Sequence, residues 1–285
     1  MMARMQTVQL SVNCLRSPVA MAGDPTLRSA VVFVHGVPGS GSDWAALMQQ
    51  VAPFSRALAP DMPGFGRADK PEGFDYSVDG YARHLAALLD LLGVARAHLV
   101  LHDFGGAWGL AWAAAHVDRV ASITLLNTGL TIGYRWHPVA RVWCLPVIGE
   151  LSMLAASRIG TRLAMRLGNP RGMPRAFVDG LYDNFDRGTR RAVLKLYRST
   201  SDPGVLSARI GTALGPHRLP ALVVWGECDP YIPATYADAQ HQYVDVRRVV
   251  RLAQSGHWPM IDDPAATAAA VVPFLREHSR DDSAD

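Results

Sequence analysis

The sequence predicts an α/β fold built on a mostly parallel central sheet. Apolar runs within residues 30–34, 119–127 and 221–225 have the composition of strands buried on both faces. Helical patterns separate successive strands, as at residues 76–92. This alternation implies crossover connections, and crossovers make neighbouring strands parallel. Because the runs end in loops with polar residues, we expect functional groups at the carboxyl edge of the sheet.

The first third of the chain supplies the outer strands and the first crossover helices. Residues 6–22 alternate weakly and predict two edge strands before the turn signal Gly23-Asp24-Pro25. The elements expected next are strand 30–34, helix 42–51, strand 57–61 and helix 76–92, which Gly93 stops.

The pattern changes after residue 128 and returns near residue 220. Residues 131–213 show helical and loop signals rich in Arg, Trp, Met and Pro but no strand. We therefore expect a core domain of residues 1–130 and 214–285, with residues 131–213 inserted as a helical cap domain (the cap). Strands 221–225 and 247–252 and a helix at 264–276 complete the core, and residues 277–285 are expected to form a solvated tail.

Composition excludes several classes of protein. With 285 residues and 49% hydrophobic content, the chain can bury a substantial core. The net charge of +3, from 28 basic and 25 acidic residues without a basic block, argues against nucleic-acid binding. Three scattered cysteines, Cys14, Cys144 and Cys228, favour a reducing compartment. Because no apolar run resembles a signal peptide or a membrane span, we expect a cytoplasmic protein without membrane contact.

An acidic residue occupies the sharpest turn in the sequence. The strand-like run Leu99-Val100-Leu101 stops at His102-Asp103, and Gly105-Gly106 open a helical segment. A side chain at such a strand-turn-helix apex is held above the sheet as a nucleophile. A carboxylate that attacks carbon forms an alkyl ester, which indicates displacement at an sp³ centre followed by hydrolysis. The alternative is that Asp103 only caps the helix.

Two further candidates follow later strands, in the chain order Asp103, Asp229, His257. This is the order of nucleophile, acid and base in α/β hydrolases. The chain resembles the Asp-nucleophile branch of that family, which contains epoxide hydrolases and haloalkane dehalogenases. The motifs that carry the resemblance are His35-Gly36-Val37-Pro38, the glycine and proline loop 61–71, His102-Asp103-Phe104-Gly105-Gly106, Trp225-Gly226-Glu227-Cys228-Asp229 and Gly256-His257-Trp258-Pro259.

The resemblance implies a two-step mechanism. Asp103 attacks a substrate carbon and becomes esterified, and His257, oriented by Asp229, then activates the water that hydrolyses the ester. By analogy, the backbone N–H groups of Val37 and Phe104 form the oxyanion hole. No metal or organic cofactor is implied.

Epoxide hydrolases and haloalkane dehalogenases differ in the leaving group. An epoxide leaves as an alkoxide and needs an acid, for which the resemblance implies Tyr197, whereas a halide needs only N–H donors. Val37 and Phe104 offer no side-chain donor to a halide, which favours the epoxide. Leu101 favours the dehalogenase instead, because epoxide hydrolases commonly have glycine there. The second cap tyrosine of epoxide hydrolases is not placed by the sequence, and its candidate positions are Tyr134, Trp136, Trp143 and Tyr182. A pair of indoles could instead line the pocket or hold a halide through N–H groups, as a dehalogenase requires.

The sequence therefore predicts an epoxide hydrolase that acts on a small apolar substrate, as a monomer or homodimer. Two alternatives remain at this stage: a haloalkane dehalogenase with the same three residues, and a catalytically silent protein that binds a ligand beneath the cap. The residues expected to line the substrate site are Tyr134, Trp136, Trp143 and Trp258.

Overall fold

A computed structural model describes residues 5–281 and confirms the predicted α/β class. Its sheet has eight strands among these residues, in the order β1-β2-β4-β3-β5-β6-β7-β8. Only β2 runs antiparallel to the others. The strands are β1 Gln6–Val12, β2 Leu15–Ala22, β3 Ser29–Val34, β4 Arg56–Pro60, β5 Arg96–His102, β6 Val120–Leu126, β7 Pro220–Gly226 and β8 Asp245–Leu252.

Helices cover both faces of the sheet and its carboxyl edge. None of those formed by residues 5–281 is long and apolar enough to cross a bilayer. The helices are α1 Ala45–Val51, α2 Val78–Leu91, α3 Phe104–Ala115, α4 Pro138–Cys144, α5 Ile148–Leu154, α6 Arg158–Gly168, α7 Arg175–Asp183, α8 Arg187–Ser199, α9 Pro203–Leu214, α10 Tyr236–Ala239, α11 Pro259–Asp262 and α12 Pro264–Asp281.

The central strands are buried on both faces because their residues alternate between two apolar clusters. On β3, Val32 and Val34 belong to the cluster that includes α2 and α3, whereas Val31 and Phe33 belong to the cluster that includes α1 and α12. Since successive side chains of a strand point to opposite faces, a run without polar residues is what a sheet covered on both sides requires.

The carboxyl-terminal helix is longer than the sequence predicted. We expected it to end at Arg276, but α12 continues to Asp281, so residues 277–281 are helical rather than part of a tail. Phe274 and Leu275 are buried against the core, and the His278 ring packs on Phe274 while its Nδ1 donates to the Phe274 carbonyl. These contacts extend the helix past the last apolar residue. The remainder of the predicted tail, residues 282–285, lies outside the described residues.

Helices α4–α9 lie between β6 and β7, where the sequence placed the cap. Within this segment α4 packs against α5 and α8, and α6 packs against α7. Salt bridges join it to the core loop before α2, including Lys70 with Asp186 at 2.5 Å and Arg191 with Glu72 at 2.8 Å. Helix α9 packs on α3 of the core. The division into two domains at residues 131 and 213 stays a prediction.

Gly105 provides a test of how closely α3 approaches β3. A Cβ at this position would lie 2.2 Å from the Val34 carbonyl oxygen, and backbone atoms cannot yield as a side chain can. We expect Gly105→Ala to lower the free energy of unfolding by about 1–3 kcal/mol, measured by urea denaturation.

The matched control is Gly180→Ala in α7, where a Cβ would meet nothing within 4 Å. There the added methyl group should stabilise the protein by about 0.5–1 kcal/mol through helix propensity. Equal effects of the two substitutions would contradict this account of α3 packing.

Candidate active site

Asp103 occupies a strained turn between β5 and α3. Its backbone has φ 49° and ψ −126°, a conformation that costs a non-glycine residue roughly 1–3 kcal/mol. Two contacts hold the turn: Thr128 Oγ1 donates to the Asp103 carbonyl at 2.7 Å, and Gly36 lies so close that a Cβ there would be 2.4 Å from Asp103 Cβ. The turn therefore presents the carboxylate at the carboxyl edge of the sheet.

The structure brings the three predicted residues together. His257 follows β8, and its Nδ1 lies 2.6 Å from Asp229 Oδ2 in the loop after β7. On the other side of the ring, Nε2 lies 3.4 Å from Asp103 Oδ2. The side chains are almost fully buried, with Asp103 the most exposed at 14%. One imidazole thus bridges two carboxylates in a site that excludes most water.

The charges of these groups depend on one another. Burial alone would raise the pKa of Asp103, but the hydrogen bond and charge of His257 lower it to about 2. Burial alone would lower the pKa of His257, but Asp229 and Asp103 together raise it to about 10. Burial also opposes ionisation of Asp229, yet His257 keeps the pKa of that carboxyl below its usual value. The resting site therefore holds one imidazolium and two carboxylates at neutral pH.

Sequence reasoning missed Asn127, which fixes the position of Asp229. Its Nδ2 donates to Asp229 Oδ2 at 2.8 Å and to the Gly226 carbonyl at 3.1 Å, while its Oδ1 accepts from the Gly226 N–H at 2.8 Å. The other carboxylate oxygen accepts from the N–H groups of Tyr231 and Ile232. The available signal was a polar residue directly after the buried strand β6, at the same edge as the other candidates.

His102 supports His257 through the backbone. Its Nε2 donates to the His257 carbonyl at 2.8 Å, and the two rings lie 4.8 Å apart. Burial lowers the pKa of His102 to about 3, so this imidazole is neutral. A neutral side chain can hold the loop after β8 without adding a second positive charge to the site.

The predicted oxyanion-hole donors face the Asp103 carboxylate. The Val37 N–H donates to Asp103 Oδ1 at 2.7 Å, and a hydrogen bond from the Phe104 backbone contributes to the low pKa of the same carboxyl. These donors lie after β3 and at the start of α3. They are placed to stabilise negative charge on this carboxyl group.

A cavity of about 470 Å³ separates this site from the cap. Asp103 and His257 form its floor together with Val37, and helices of the cap form its walls. All the aromatic residues that the sequence proposed for substrate contact line it, namely Tyr134, Trp136, Trp143, Tyr197 and Trp258. Leu101 does not line it, since its side chain lies against Gly109 of α3.

The hydroxyl and indole N–H groups of these aromatic residues differ in whether they already make a hydrogen bond within the protein. The Trp136 indole N–H donates to the Thr200 carbonyl at 2.9 Å, and the Tyr134 hydroxyl donates to the Tyr231 carbonyl at 2.9 Å. Tyr197 is buried on α8, its ring 5.0 Å from that of Phe104, and its hydroxyl makes no hydrogen bond within residues 5–281. Burial, and then the negative charge of Asp103, raise the pKa of this phenol well above its usual value. Tyr197 therefore remains a proton donor.

His137, which sequence reasoning also missed, lines the cavity at the start of α4. Its Nδ1 accepts from the Ala140 N–H at 3.3 Å, and burial lowers the pKa of the ring to about 4. The neutral ring must then carry its proton on Nε2, which makes no hydrogen bond to any residue that the structure describes. His137 thus offers the cavity an N–H donor, 6.4 Å between ring centres from Tyr197.

Comparison with known proteins places this site in a family. The family model for the alpha/beta hydrolase fold matches residues 29–264, and the chain belongs to that family. Asp103 further places it among members that have an aspartate at the turn between β5 and α3. The predicted family and the coarse prediction of a hydrolase are confirmed.

Three known proteins illustrate the range of the similarity. The 2-hydroxy-6-oxo-2,4-heptadienoate hydrolase of Pseudomonas putida is 28% identical over 266 residues, which cover 89% of this chain and 90% of that protein. A loop variant of the haloalkane dehalogenase DbeA from Bradyrhizobium elkanii has a TM-score of 0.83 at 22% identity, covering 98% and 99% of the two chains. The epoxide hydrolase CorEH has a TM-score of 0.80 at 17% identity, covering 95% and 99%. At these identities the two structures share the fold.

The bridging imidazolium predicts how stability depends on pH. The folded-state pKa of His257, about 10, exceeds the value of about 6.5 expected in the unfolded chain. Its stabilising contribution is therefore complete below about pH 6.5 and is lost as the pH rises through about 10. As the pH rises between these limits, the free energy of unfolding should fall more in the wild-type protein than in His257→Gln. Urea denaturation at a series of pH values measures this difference.

The control is His241→Gln, because His241 is exposed and lies in the helical turn that precedes β8. This variant should follow the wild-type curve. Parallel curves for wild type and His257→Gln would show that His257 is not held protonated by the two carboxylates.

Proposed function

We propose that this protein is an epoxide hydrolase that opens an apolar epoxide through an ester on Asp103. The observation that carries the proposal is the state of the Tyr197 hydroxyl. Tyr197 is buried and lines the cavity, and its hydroxyl has no acceptor among residues 5–281, whereas the Trp136 indole N–H is committed to the Thr200 carbonyl. An acid is therefore available to the leaving group, as an alkoxide requires. The Trp258 indole N–H is also without a partner in this part of the chain and could hold a halide, so a dehalogenase is the alternative.

In the first step Asp103 attacks a ring carbon of the epoxide. Because Oδ1 accepts from the Val37 N–H, Oδ2 is the attacking atom and Oδ1 becomes the ester carbonyl oxygen. The C–O bond of the epoxide breaks, and the oxygen takes its proton from Tyr197. The His137 N–H is a second donor on the cavity wall, and hydrogen bonding to the same oxygen would stabilise its developing charge.

Ester formation changes the charge of His257. It removes the negative charge of Asp103, one of the two carboxylates that hold the pKa of His257 at about 10, so this pKa falls. The proton that the imidazolium releases balances the one that Tyr197 gave to the substrate, and the phenol is restored. The neutral imidazole can then act as a general base.

In the second step water hydrolyses the ester. His257 takes a proton from water as its oxygen attacks the ester carbonyl, and the N–H groups of Val37 and Phe104 stabilise the resulting oxyanion. The bond between the acyl carbon and the diol oxygen then breaks, and this oxygen takes the proton of the hydroxyl group that water added to the Asp103 carbon. The net products are the diol, the Asp103 carboxylate and protonated His257, which is the resting state of the site.

The nucleophile also argues against the reaction of the carbon–carbon bond hydrolase among the relatives. A carboxylate that attacks an acyl carbon would produce an anhydride, whereas attack on an sp³ carbon produces an ester stable enough to await water. The haloalkane dehalogenase remains the second candidate, because alkylation of Asp103 by an alkyl halide needs no acid.

Mass spectrometry of His257→Gln tests the proposed function. Without the base the ester should accumulate, so exposure to a panel of aromatic epoxides and alkyl bromides should leave a covalent adduct on Asp103. A hydroxyalkyl adduct from an epoxide is the expected result.

The double variant Asp103→Asn/His257→Gln is the control and should form no adduct. A plain alkyl adduct with release of bromide would replace the proposal with a dehalogenase. No adduct from any compound would favour a ligand-binding protein without activity.

Tyr197→Phe separates the two enzyme classes by the leaving group. Loss of the acid should slow alkylation of Asp103 by an epoxide by about 10²–10⁴-fold and leave alkylation by a bromide nearly unchanged. Single-turnover rates in the His257→Gln background isolate this step. The control is Tyr134→Phe, because the Tyr134 hydroxyl is already bonded to the Tyr231 carbonyl. Unchanged epoxide rates in Tyr197→Phe would remove Tyr197 from the mechanism.

A further inference from the structure

The cap carries a concentration of exposed large apolar side chains. They lie at the end of α4, on α5 and on α6, and each is at least 48% exposed, with Leu154 at 74% and Ile159 at 78%. We call this set the cap apolar face, and it comprises Leu145, Val147, Ile148, Leu151, Leu154, Ile159 and Leu163. Single exposed apolar residues are ordinary on a protein surface, but seven within one short segment mark an interaction site.

The same two helices also line the cavity. On α6, Gly160, Thr161 and Ala164 line it, and Gly160 and Ala164 are exposed like their neighbours Ile159 and Leu163, so this part of the lining is its open side. Ser152 of α5 and the turn of residues 155–157 that joins the two helices also line the cavity. The cap apolar face therefore borders the open side of the proposed substrate site.

The charge around this face is positive. Residues 141–171 contain five arginines and one acidic residue, Glu150, which is paired with Arg198. Arg158 and Arg162 are paired with Asp179, and Arg171 with Asp263, which leaves Arg141 and Arg166 without an ion pair among the described residues. Arg166 is exposed and lies on the same side of α6 as Ile159 and Leu163, at helical spacings of seven and three residues. Across residues 131–213 there are 13 basic and 5 acidic side chains, against 15 and 20 in the rest of the chain. The molecule is thus polarised, with its positive side at the cap.

We propose that the cap apolar face docks on an anionic lipid bilayer, in contrast to the expectation from the sequence of a protein without membrane contact. Aliphatic side chains bordered by arginines match the interface of such a membrane, where the apolar groups enter the acyl boundary and the arginines meet lipid phosphates. A second copy of the chain fits this face less well, because a two-fold interface would bring the arginines of one copy against those of the other. Docking would place the cavity wall against the phase in which apolar epoxides concentrate.

Vesicle sedimentation of the full chain tests the proposal without reference to activity, so it can fail independently of the proposed function. The probes are vesicles of phosphatidylcholine alone and of phosphatidylcholine mixed with phosphatidylglycerol. Wild type should bind the anionic vesicles at least about tenfold more strongly, and high salt should reduce the binding. Ile159→Ser/Leu163→Ser should abolish binding, and Arg166→Gln should weaken it.

The matched control is Leu91→Ser/Val205→Ser, which replaces two exposed aliphatic residues outside the cap apolar face, at 56% and 66% exposure. It should bind vesicles as wild type does. Equal binding to both kinds of vesicle, or no binding to either, would overturn the proposal. So would a concentration-dependent dimer in light scattering that Ile159→Ser/Leu163→Ser dissociates, because a second copy would then be the occupant of this face.

Discussion

Two buried carboxylates share one imidazole, and the arrangement of the site follows from this constraint. A buried carboxylate without a partner is costly, so Asp103 and Asp229 both depend on a protonated His257. In the proposed mechanism both carboxylates are charged only in the resting state. An ester on Asp103 would leave His257 with Asp229 as its single counter-charge, and the imidazole would then act as a base. The electrostatic balance that stabilises the resting site would in this way also supply the base for the proposed reaction.

The surroundings of these charges are polar but neutral. The Asp229 carboxylate accepts hydrogen bonds from Asn127 and from the backbone N–H groups of Tyr231 and Ile232. The neutral imidazole of His102 donates to the His257 carbonyl. Since hydrogen bonds orient the charged groups without altering the net charge, the pKa of His257 responds mainly to the state of Asp103. An additional lysine or carboxylate beside these groups would make the pKa of His257 depend less on the charge of Asp103.

The sheet was predictable because its signals are local. A buried parallel strand such as β3 is an apolar run, and Asp103, Asp229 and His257 each follow a strand of the sheet. The roles of Asn127 and His137 were not predictable, because each depends on a partner that only the fold supplies: Gly226 and Asp229 for the first, the open end of α4 for the second. Likewise, the packing of the cap determines that the Tyr197 hydroxyl is available and that the Trp136 indole N–H donates to the Thr200 carbonyl. A sequence pattern does not encode this packing.

The hydrogen bonds between Asn127 and Gly226 join positions 99 residues apart in the chain, at the end of β6 and the end of β7. These hydrogen bonds therefore hold together the two ends of the segment that contains the cap. The inserted segment thus leaves the sheet and re-enters it at neighbouring strands, and Asn127 sets the position of Asp229 from the sheet itself.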